Sequence, residues 1–161
     1  MSEGKHHYRI HLCWAGFLPG GTIAFRRHDR SYVLSAPGKP PIAGSADAVF
    51  RGDAGKWNPE DLLVASLAAC HQLWYLGLCA EAGITVVAYQ DHAEGTMVEE
   101  TSGGAGHFTT VTLRPEVTVG LGSDVALAKA LHDVAHEKCF IARSVNFPVQ
   151  CVPTISMVPF E

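Results

Sequence analysis

The stretch Asn58-Pro-Glu-Asp-Leu-Leu-Val-Ala-Ser-Leu-Ala-Ala-Cys-His71 decides the fold, because it begins the longest apolar segment of the chain. Asn58 is a good helix N-cap and Pro59 suits the first helical position, while the acidic residues at 60 and 61 complement the positive end of the helix dipole. The apolar run continues to Gly83, a natural helix stop. We therefore predict a central core helix of about 24 residues, or about 36 Å, that is apolar nearly all round.

Short strands are predicted on both sides of this helix, because apolar and polar residues alternate there between turn signals. Pro- and Gly-rich residues 36–44 are predicted to be a loop, and Ser123 is predicted to cap a second helix that ends in the turn 136–138. Pro115 indicates an edge or a bulge in its strand. The predicted strands are 8–14, 22–25, 31–34, 84–90, 93–99, 109–119 and 150–158. This order of elements implies an α+β fold.

Composition excludes several classes of protein. The 161 residues, 47% hydrophobic and 17% charged, predict one domain over 1–161 with a real core. A net charge of −4 argues against a nucleic-acid partner. Residues 62–80 approach membrane-spanning length, but polar residues at 66, 71 and 72 favour a core helix, so we expect no membrane span. No secretory signal is recognised, and we expect a cytoplasmic protein.

Five cysteines form an odd set, which cannot pair completely within one chain and does not have the density of a secreted disulfide scaffold. Cys70 lies in the apolar helix, where a cysteine usually packs as a small hydrophobe. Polar His71 and Gln72 beside it, and a preceding segment with Arg26, Arg27, Arg30 and Arg51, also allow an activated thiol.

Cys139 follows the second helix, where the negative end of the dipole disfavours a thiolate. It is therefore a poor first nucleophile and a reasonable second thiol. His136 and Cys139 are half of a metal site, but no second ligand pair accompanies them, so we expect no bound metal and no cofactor. The remaining cysteines, Cys13, Cys79 and Cys151, are predicted to be packing residues.

The stretch 58–71 resembles the signature of the OsmC/Ohr family, the osmotically induced and organic-hydroperoxide-resistance proteins. Ala135-His-Glu-Lys-Cys139 looks like the second cysteine motif of that family. The match includes the Asn-Pro-Glu cap, a cysteine ten residues after the glutamate, and the order of elements along the chain. Residues 74–83 resemble the OsmC-like side of the family. The resemblance implies an OsmC-like α+β fold that forms an intertwined homodimer.

The resemblance also implies a thiol-dependent peroxidase that reduces organic hydroperoxides and is reset by a dithiol reductant. Carried over by motif, Cys70 is the peroxidatic thiol and Cys139 the resolving thiol, linked transiently by a redox-active disulfide. Glu60 matches the acidic residue that orients an arginine, for which we favour Arg51 over Arg27 or Arg30.

Two positions depart from the family pattern: His71, where a hydrophobic residue is common, and Phe140, where proline is common. His71 either tunes Cys70 or packs as a buried, hydrogen-bonded histidine, and we favour packing. The alternatives to an antioxidant enzyme are a non-enzymatic ligand-binding or redox-sensing protein, and a metal-binding protein that uses His136 and Cys139. The physiological peroxide and the reductant in the cell are not predicted.

Overall fold

The computed structural model describes residues 4–15, 21–22, 28–101 and 104–158. The chain divides into two compact units, residues 1–62 and 63–161. Most of the strand predicted at 22–25, together with Arg26 and Arg27, lies outside the described residues. The architecture is α+β, as predicted, and the described residues form two α-helices and three small sheets. The single domain over 1–161 stays a prediction.

The first unit contains a three-stranded antiparallel sheet of β1 (His11–Trp14), β2 (Tyr32–Ser35) and β3 (Ile42–Gly44), with β2 in the middle. Strand β3 lies inside the segment predicted to be a loop, so that part of the prediction is wrong. The turn is confined to the residues around Gly38, which has φ +73°, and the chain then pairs with β2. Gly44 lies opposite Tyr32, and any side chain there would collide with the tyrosine ring.

Helix α1 spans Pro59–Glu81 and has the predicted caps. The Asn58 side-chain oxygen accepts a hydrogen bond from the Asp61 backbone N–H at 2.7 Å, and the Asp61 carboxylate accepts one from the Asn58 N–H at 3.4 Å. At the other end Gly83 has φ +72°, and the Ile84 N–H donates to the Cys79 carbonyl at 2.8 Å. This bond closes a Schellman-type cap, which satisfies a carbonyl that the helix leaves unpaired.

Burial of α1 is confined to one stripe with a spacing of four residues, formed by Leu67, His71, Tyr75 and Cys79. Leu73 is 70% exposed on another face. By length and composition α1 is the one helix in the described residues that is apolar enough to cross a membrane, and 22% of its most apolar window is buried. A core helix of a soluble protein passes the same test, so this finding is weak evidence for a membrane span.

The second unit contains two three-stranded sheets. One has the order β4-β7-β9 and the other β5-β6-β8, and each combines an antiparallel pair with a parallel pair. The strands are β4 (Val86–Asp91), β5 (Glu94–Glu99), β6 (Gly106–Leu113), β7 (Pro115–Val119), β8 (Val149–Cys151) and β9 (Thr154–Met157).

Two of the predicted strands are each divided between these sheets. The segment 109–119 passes from β6 to β7 at Arg114, whose backbone N–H donates to the Asp91 carboxylate at 2.7 Å. Pro115, which has no N–H, begins β7 opposite Asp91. The segment 150–158 is divided in the same way between β8 and β9, at 152–153. Proline thus marks a change of sheet rather than an edge or a bulge within one strand.

Helix α2 spans Val125–Lys138 and is capped by Asp124, not by Ser123 as predicted. The Asp124 carboxylate accepts a hydrogen bond from the Leu127 N–H at 2.9 Å, and that geometry identifies the N-cap. The helix ends at Cys139, whose N–H donates to the His136 carbonyl at 3.2 Å. The second unit has two apolar clusters, one around Tyr75 and Val119 and one around Leu67 and Val111.

Candidate active site

The structure brings the Cys70 and Cys139 thiols together. Cys70 is half-buried in the middle of α1, and Cys139, 1% exposed, is the C-cap of α2. Burial, followed by a hydrogen bond with the Cys70 side chain, raises the pKa of Cys139 to about 11. Both thiols are free. Two cysteines that are 69 residues apart in sequence are therefore close enough for Cys70 to affect the pKa of Cys139, although the pairing that the resemblance implies stays a prediction.

The surroundings of Cys139 favour its neutral form. The residue lies at the negative end of α2, and its buried Sγ accepts a backbone hydrogen bond from the Ala142 N–H at 3.4 Å. That bond lowers the pKa, but burial and Cys70 outweigh it. Cys139 is therefore a thiol rather than a thiolate at neutral pH.

An aromatic pair flanks the two cysteines. Trp74 lies one helical turn after Cys70, and Phe140 directly follows Cys139. The two rings meet edge to face with their centroids 5.6 Å apart. The Lys138 ammonium lies 5.4 Å from the centroid of the Trp74 ring, close enough for a cation–π contact. Phe140, a departure from the family pattern, is 67% exposed apart from this contact.

Arg51 and Glu60, the other two predicted site residues, both belong to the first unit. Arg51 is exposed and has φ +65°, and its N–H donates to the Ala48 carbonyl at 2.9 Å. Arg51 and Arg30 line one cleft of about 320 Å³ together with His28. Arg30 donates from Nη1 to the His28 carbonyl at 3.1 Å. Two of the three candidate arginines thus share one cleft, while Arg27 is outside the described residues.

Glu60 is half-buried in the first turn of α1, where its charge complements the helix dipole. Its charge acts on Tyr32, whose pKa is raised first by burial and then by Glu60 and Asp61. A carboxylate at this position can orient a guanidinium, but the pairing of Glu60 with Arg51 stays a prediction, as does the role of either residue toward Cys70.

The remaining cysteines differ from one another. Cys79 is 1% exposed and packs in the core, as predicted. Cys13 is exposed on β1, so the prediction that it is a packing residue is wrong. Cys151 is half-buried on β8, and its Sγ lies 3.5 Å from His71 Nε2. The local sequence of Cys151 has no ionisable neighbour, so it gave no indication that the thiol would lie beside a buried histidine.

His71 is 1% exposed, and its Nε2 lies 2.9 Å from Nδ1 of His132, which is also 1% exposed. The expected hydrogen-bonded packing of His71 is confirmed. His132 and Cys151 were missed by the sequence analysis. The signal that could have predicted the pair is a histidine on the apolar side of each helix, His71 on α1 and His132 on α2, since buried polar groups require partners.

The structure does not support the alternative of a metal-binding protein that uses His136 and Cys139. Among the described residues, the group of three or more potential metal ligands with converging atoms is His71, His132 and Cys151, and it contains neither His136 nor Cys139.

Comparison with solved structures shows the fold. An OsmC-like protein of unknown function from Vibrio cholerae is 26% identical, with a TM-score of 0.83 over 93% of this chain and 100% of that one. An organic hydroperoxide resistance protein OsmC from Legionella pneumophila is 20% identical, with a TM-score of 0.64 over 94% and 99% of the two chains. An organic hydroperoxide resistance protein from Elizabethkingia anophelis is 18% identical, with a TM-score of 0.65 over 96% and 99%.

Comparison of sequences shows the family. No curated protein matches the chain. The sequence profile of the OsmC-like protein family, however, matches residues 52–153, which is more than half of the chain and includes both Cys70 and Cys139. The chain therefore belongs to the OsmC-like protein family.

Proposed function

We propose that this protein is a thiol peroxidase that reduces organic hydroperoxides through Cys70 and Cys139. The observation that carries the proposal is that the half-buried Cys70 thiol lies close enough to the buried Cys139 thiol to help raise the pKa of Cys139 to about 11. Two free thiols with unequal surroundings suit a pair in which one attacks and the other resolves.

In the first step, the Cys70 thiolate attacks one oxygen of the hydroperoxide and the O–O bond breaks. Cys70 becomes a sulfenic acid, and the alkoxide takes a proton and leaves as an alcohol. Cys139 does not compete for the peroxide, because its raised pKa keeps it protonated and a thiol is a much weaker nucleophile than a thiolate.

In the second step, the Cys139 sulfur attacks the sulfenic sulfur of Cys70. A disulfide forms, and the hydroxyl group leaves with the Cys139 proton as water. A dithiol reductant then restores both thiols by exchange and is itself oxidised to a disulfide. The proximity of Cys70 to Cys139 supports this step.

Activation of Cys70 requires a cation, and we assign it to Arg51, oriented by Glu60. A guanidinium remains charged at any physiological pH and can also donate to a peroxide oxygen. Arg30 lines the same cleft as Arg51 and is the first alternative, with Arg27 the second. Replacement of each arginine by lysine, and of Glu60 by glutamine, separates these assignments: the residue that activates Cys70 is the one whose variant reacts more slowly with peroxide.

The aromatic pair supports organic peroxides as the substrate class. Trp74 and Phe140 place apolar surface next to both cysteines. Leu67 is fully buried in the core and adds nothing to this surface. An aryl or alkyl peroxide buries apolar area against such rings, whereas hydrogen peroxide has none to bury.

The test is consumption of cumene hydroperoxide by the purified chain in the presence of dithiothreitol. Wild type should turn over, and Cys70→Ser should lose turnover completely. Without dithiothreitol, Cys139→Ser should reduce one equivalent of peroxide and accumulate the Cys70 sulfenic acid, which a dimedone adduct reports by mass spectrometry. Cys13→Ser changes an exposed thiol outside the proposed pair and serves as the matched control, with full activity expected.

Full turnover by Cys70→Ser would refute the proposal. Formation of a Cys70–Cys139 disulfide without turnover would instead indicate the redox-sensing alternative.

The proposal includes a homodimer in the cytoplasm. An outward-facing Leu73 on α1 and an exposed Phe140 leave apolar surface that a second copy of the chain would cover. Free cysteines suit a reducing compartment. Light scattering after gel filtration tests the dimer, and a monomer at micromolar concentration would contradict it.

A further inference from the structure

Three side chains from three different elements converge in the interior of the second unit. His71 lies on α1, His132 on α2 and Cys151 on β8. His71 Nε2 and His132 Nδ1 are 2.9 Å apart, and Cys151 Sγ lies 3.5 Å from the first and 3.8 Å from the second. These two nitrogen atoms and the sulfur atom thus form a triangle with sides of 2.9, 3.5 and 3.8 Å.

We propose that His71, His132 and Cys151 form a binding site for a transition-metal ion of the zinc class. Imidazole nitrogen and thiolate sulfur are the ligands that zinc prefers, and three protein ligands leave one coordination position open.

The size of the triangle fits such an ion. Tetrahedral zinc, with bonds of about 2.0–2.1 Å to nitrogen and about 2.3 Å to sulfur, separates its ligand atoms by about 3.3–3.6 Å. Each edge of the triangle is within about half an ångström of that range. The shortest edge is the hydrogen bond between the two rings, which opens slightly when the ion replaces the shared proton.

Each ring of the histidine pair has a second nitrogen that the hydrogen bond between the rings does not use. A neutral histidine pair shares one proton, so only one nitrogen of each ring takes part in the bond. The opposite nitrogens, His71 Nδ1 and His132 Nε2, are buried without a hydrogen-bond partner. Tyr75 stacks on the His132 ring, with centroids 3.8 Å apart. An ion held by His71 Nε2 and His132 Nδ1 would put the ring protons on these opposite nitrogens, so the converging triangle, and not the opposite nitrogens, supports the site.

The two rings are neutral, as metal ligands must be, whereas the Cys151 thiol has to lose its proton to bind an ion. Burial lowers the pKa of His71 to about 4 and that of His132 to about 3, so both rings are neutral at pH 7, as ligands must be. His136, one turn after His132, also lowers the pKa of His71 through its charge. Burial raises the pKa of Cys151 to about 12, with further contributions from Asp91 and Asp133. Binding of a divalent ion therefore releases one proton, from the Cys151 thiol, while the rings only shift tautomer.

The experiment uses Co²⁺ as the probe, because a cobalt–thiolate bond gives a charge-transfer band in the near ultraviolet and tetrahedral cobalt gives visible d–d bands. The chelator-treated full chain should bind one equivalent with both signatures, and Zn²⁺ should displace it. In known metal sites, replacing a residue that only hydrogen-bonds to a ligand weakens metal binding by about 10–100-fold. Cys151→Ser replaces a ligand itself, so it should weaken Co²⁺ binding more than about 100-fold and remove the charge-transfer band.

Two control variants identify the site. Exposed histidines at 6, 7 and 11 are a possible surface site, and their simultaneous replacement by glutamine should leave the bands unchanged. Cys79→Ala changes a buried thiol outside the triangle and should also leave the bands unchanged.

His132→Asn should weaken binding without removing the thiolate band at saturating Co²⁺.

Absence of a thiolate charge-transfer band in wild type would overturn the proposal, even if a variant failed to fold. The same band and affinity in Cys151→Ser would overturn it as well. Peroxide turnover plays no part in this readout, so the result is independent of the proposed peroxidase function.

Discussion

Acid should destabilise this protein through the His71–His132 pair. The two rings are 1% exposed and have pKa values of about 4 and about 3, well below the ordinary 6.5 of a histidine. Burial is the main cause, because it disfavours the charged form. A base whose pKa is lowered by folding binds protons more readily in the unfolded chain, so the folded state loses stability as the pH falls below 6.5.

The magnitude follows from these values. At pH 5 each unfolded ring is almost fully protonated, whereas the folded rings are still mostly neutral. Between pH 7 and pH 5 this difference amounts to about 2 kcal/mol per ring, or about 4 kcal/mol for the pair. That loss is a large part of the stability of a typical domain, which is about 5–15 kcal/mol. Asp91 acts in the opposite direction, since burial raises its pKa, but its contribution is common to wild type and variants.

The assay is urea unfolding at pH 7 and pH 5 in the presence of a chelator. The variant His71→Gln/His132→Asn removes both titrating rings but keeps amide groups at the positions of the paired nitrogens. Its loss of unfolding free energy between the two pH values should be about 4 kcal/mol smaller than that of wild type. His107→Gln, an exposed histidine in β6, is the control and should behave as wild type. Equal losses in wild type and the double variant would refute the reasoning.

Three further predictions concern the thiol pair and the ends of α1. Cys70→Ala should lower the pKa of Cys139 while leaving it above 9.0, because burial is the larger cause; alkylation rates against pH measure this, and an unchanged pKa would contradict it. Asn58→Ala should cost about 1–2 kcal/mol of unfolding free energy through the lost cap, whereas Asn58→Asp should retain most of it. Gly83→Ala should cost about 1–2 kcal/mol at its positive φ. The control is Gly77→Ala, because a Cβ at Gly77, in the helix interior, meets open space. This change should raise the unfolding free energy by about 0.5–1 kcal/mol, so equal changes in the two variants would contradict the argument.

The sequence predicted the features that local chemistry decides. The start of α1 depends on hydrogen bonds between Asn58 and Asp61, and its end on the conformational freedom of Gly83, so both could be read from neighbouring residues. The α+β order and the position of Cys139 at the end of α2 were predicted in the same way. The resemblance predicted the pair of cysteines, because a family motif carries information that composition and spacing lack.

The division of strands between sheets was not predictable in this way. Residues 109–119 alternate as a single strand would, and nothing in that pattern indicates that the chain changes sheets at Arg114. The change depends on Asp91, which is 23 residues away and accepts the Arg114 N–H. The N-cap of α2 was missed for a smaller reason: Ser123 and Asp124 are both good caps, and only the bond to Leu127 distinguishes them.

By itself, the sequence determined the ends of the long helix, the apolar character of that helix and the two motif cysteines, because short-range hydrogen bonds and residue types govern these features. Only the tertiary structure decided which polar residues meet in the interior. His71 and His132 are 61 residues apart, and Cys151 is 80 residues from His71, so no local pattern relates them. Packing of two helices and a strand in the second unit brings them together, since buried polar groups must find partners across the core.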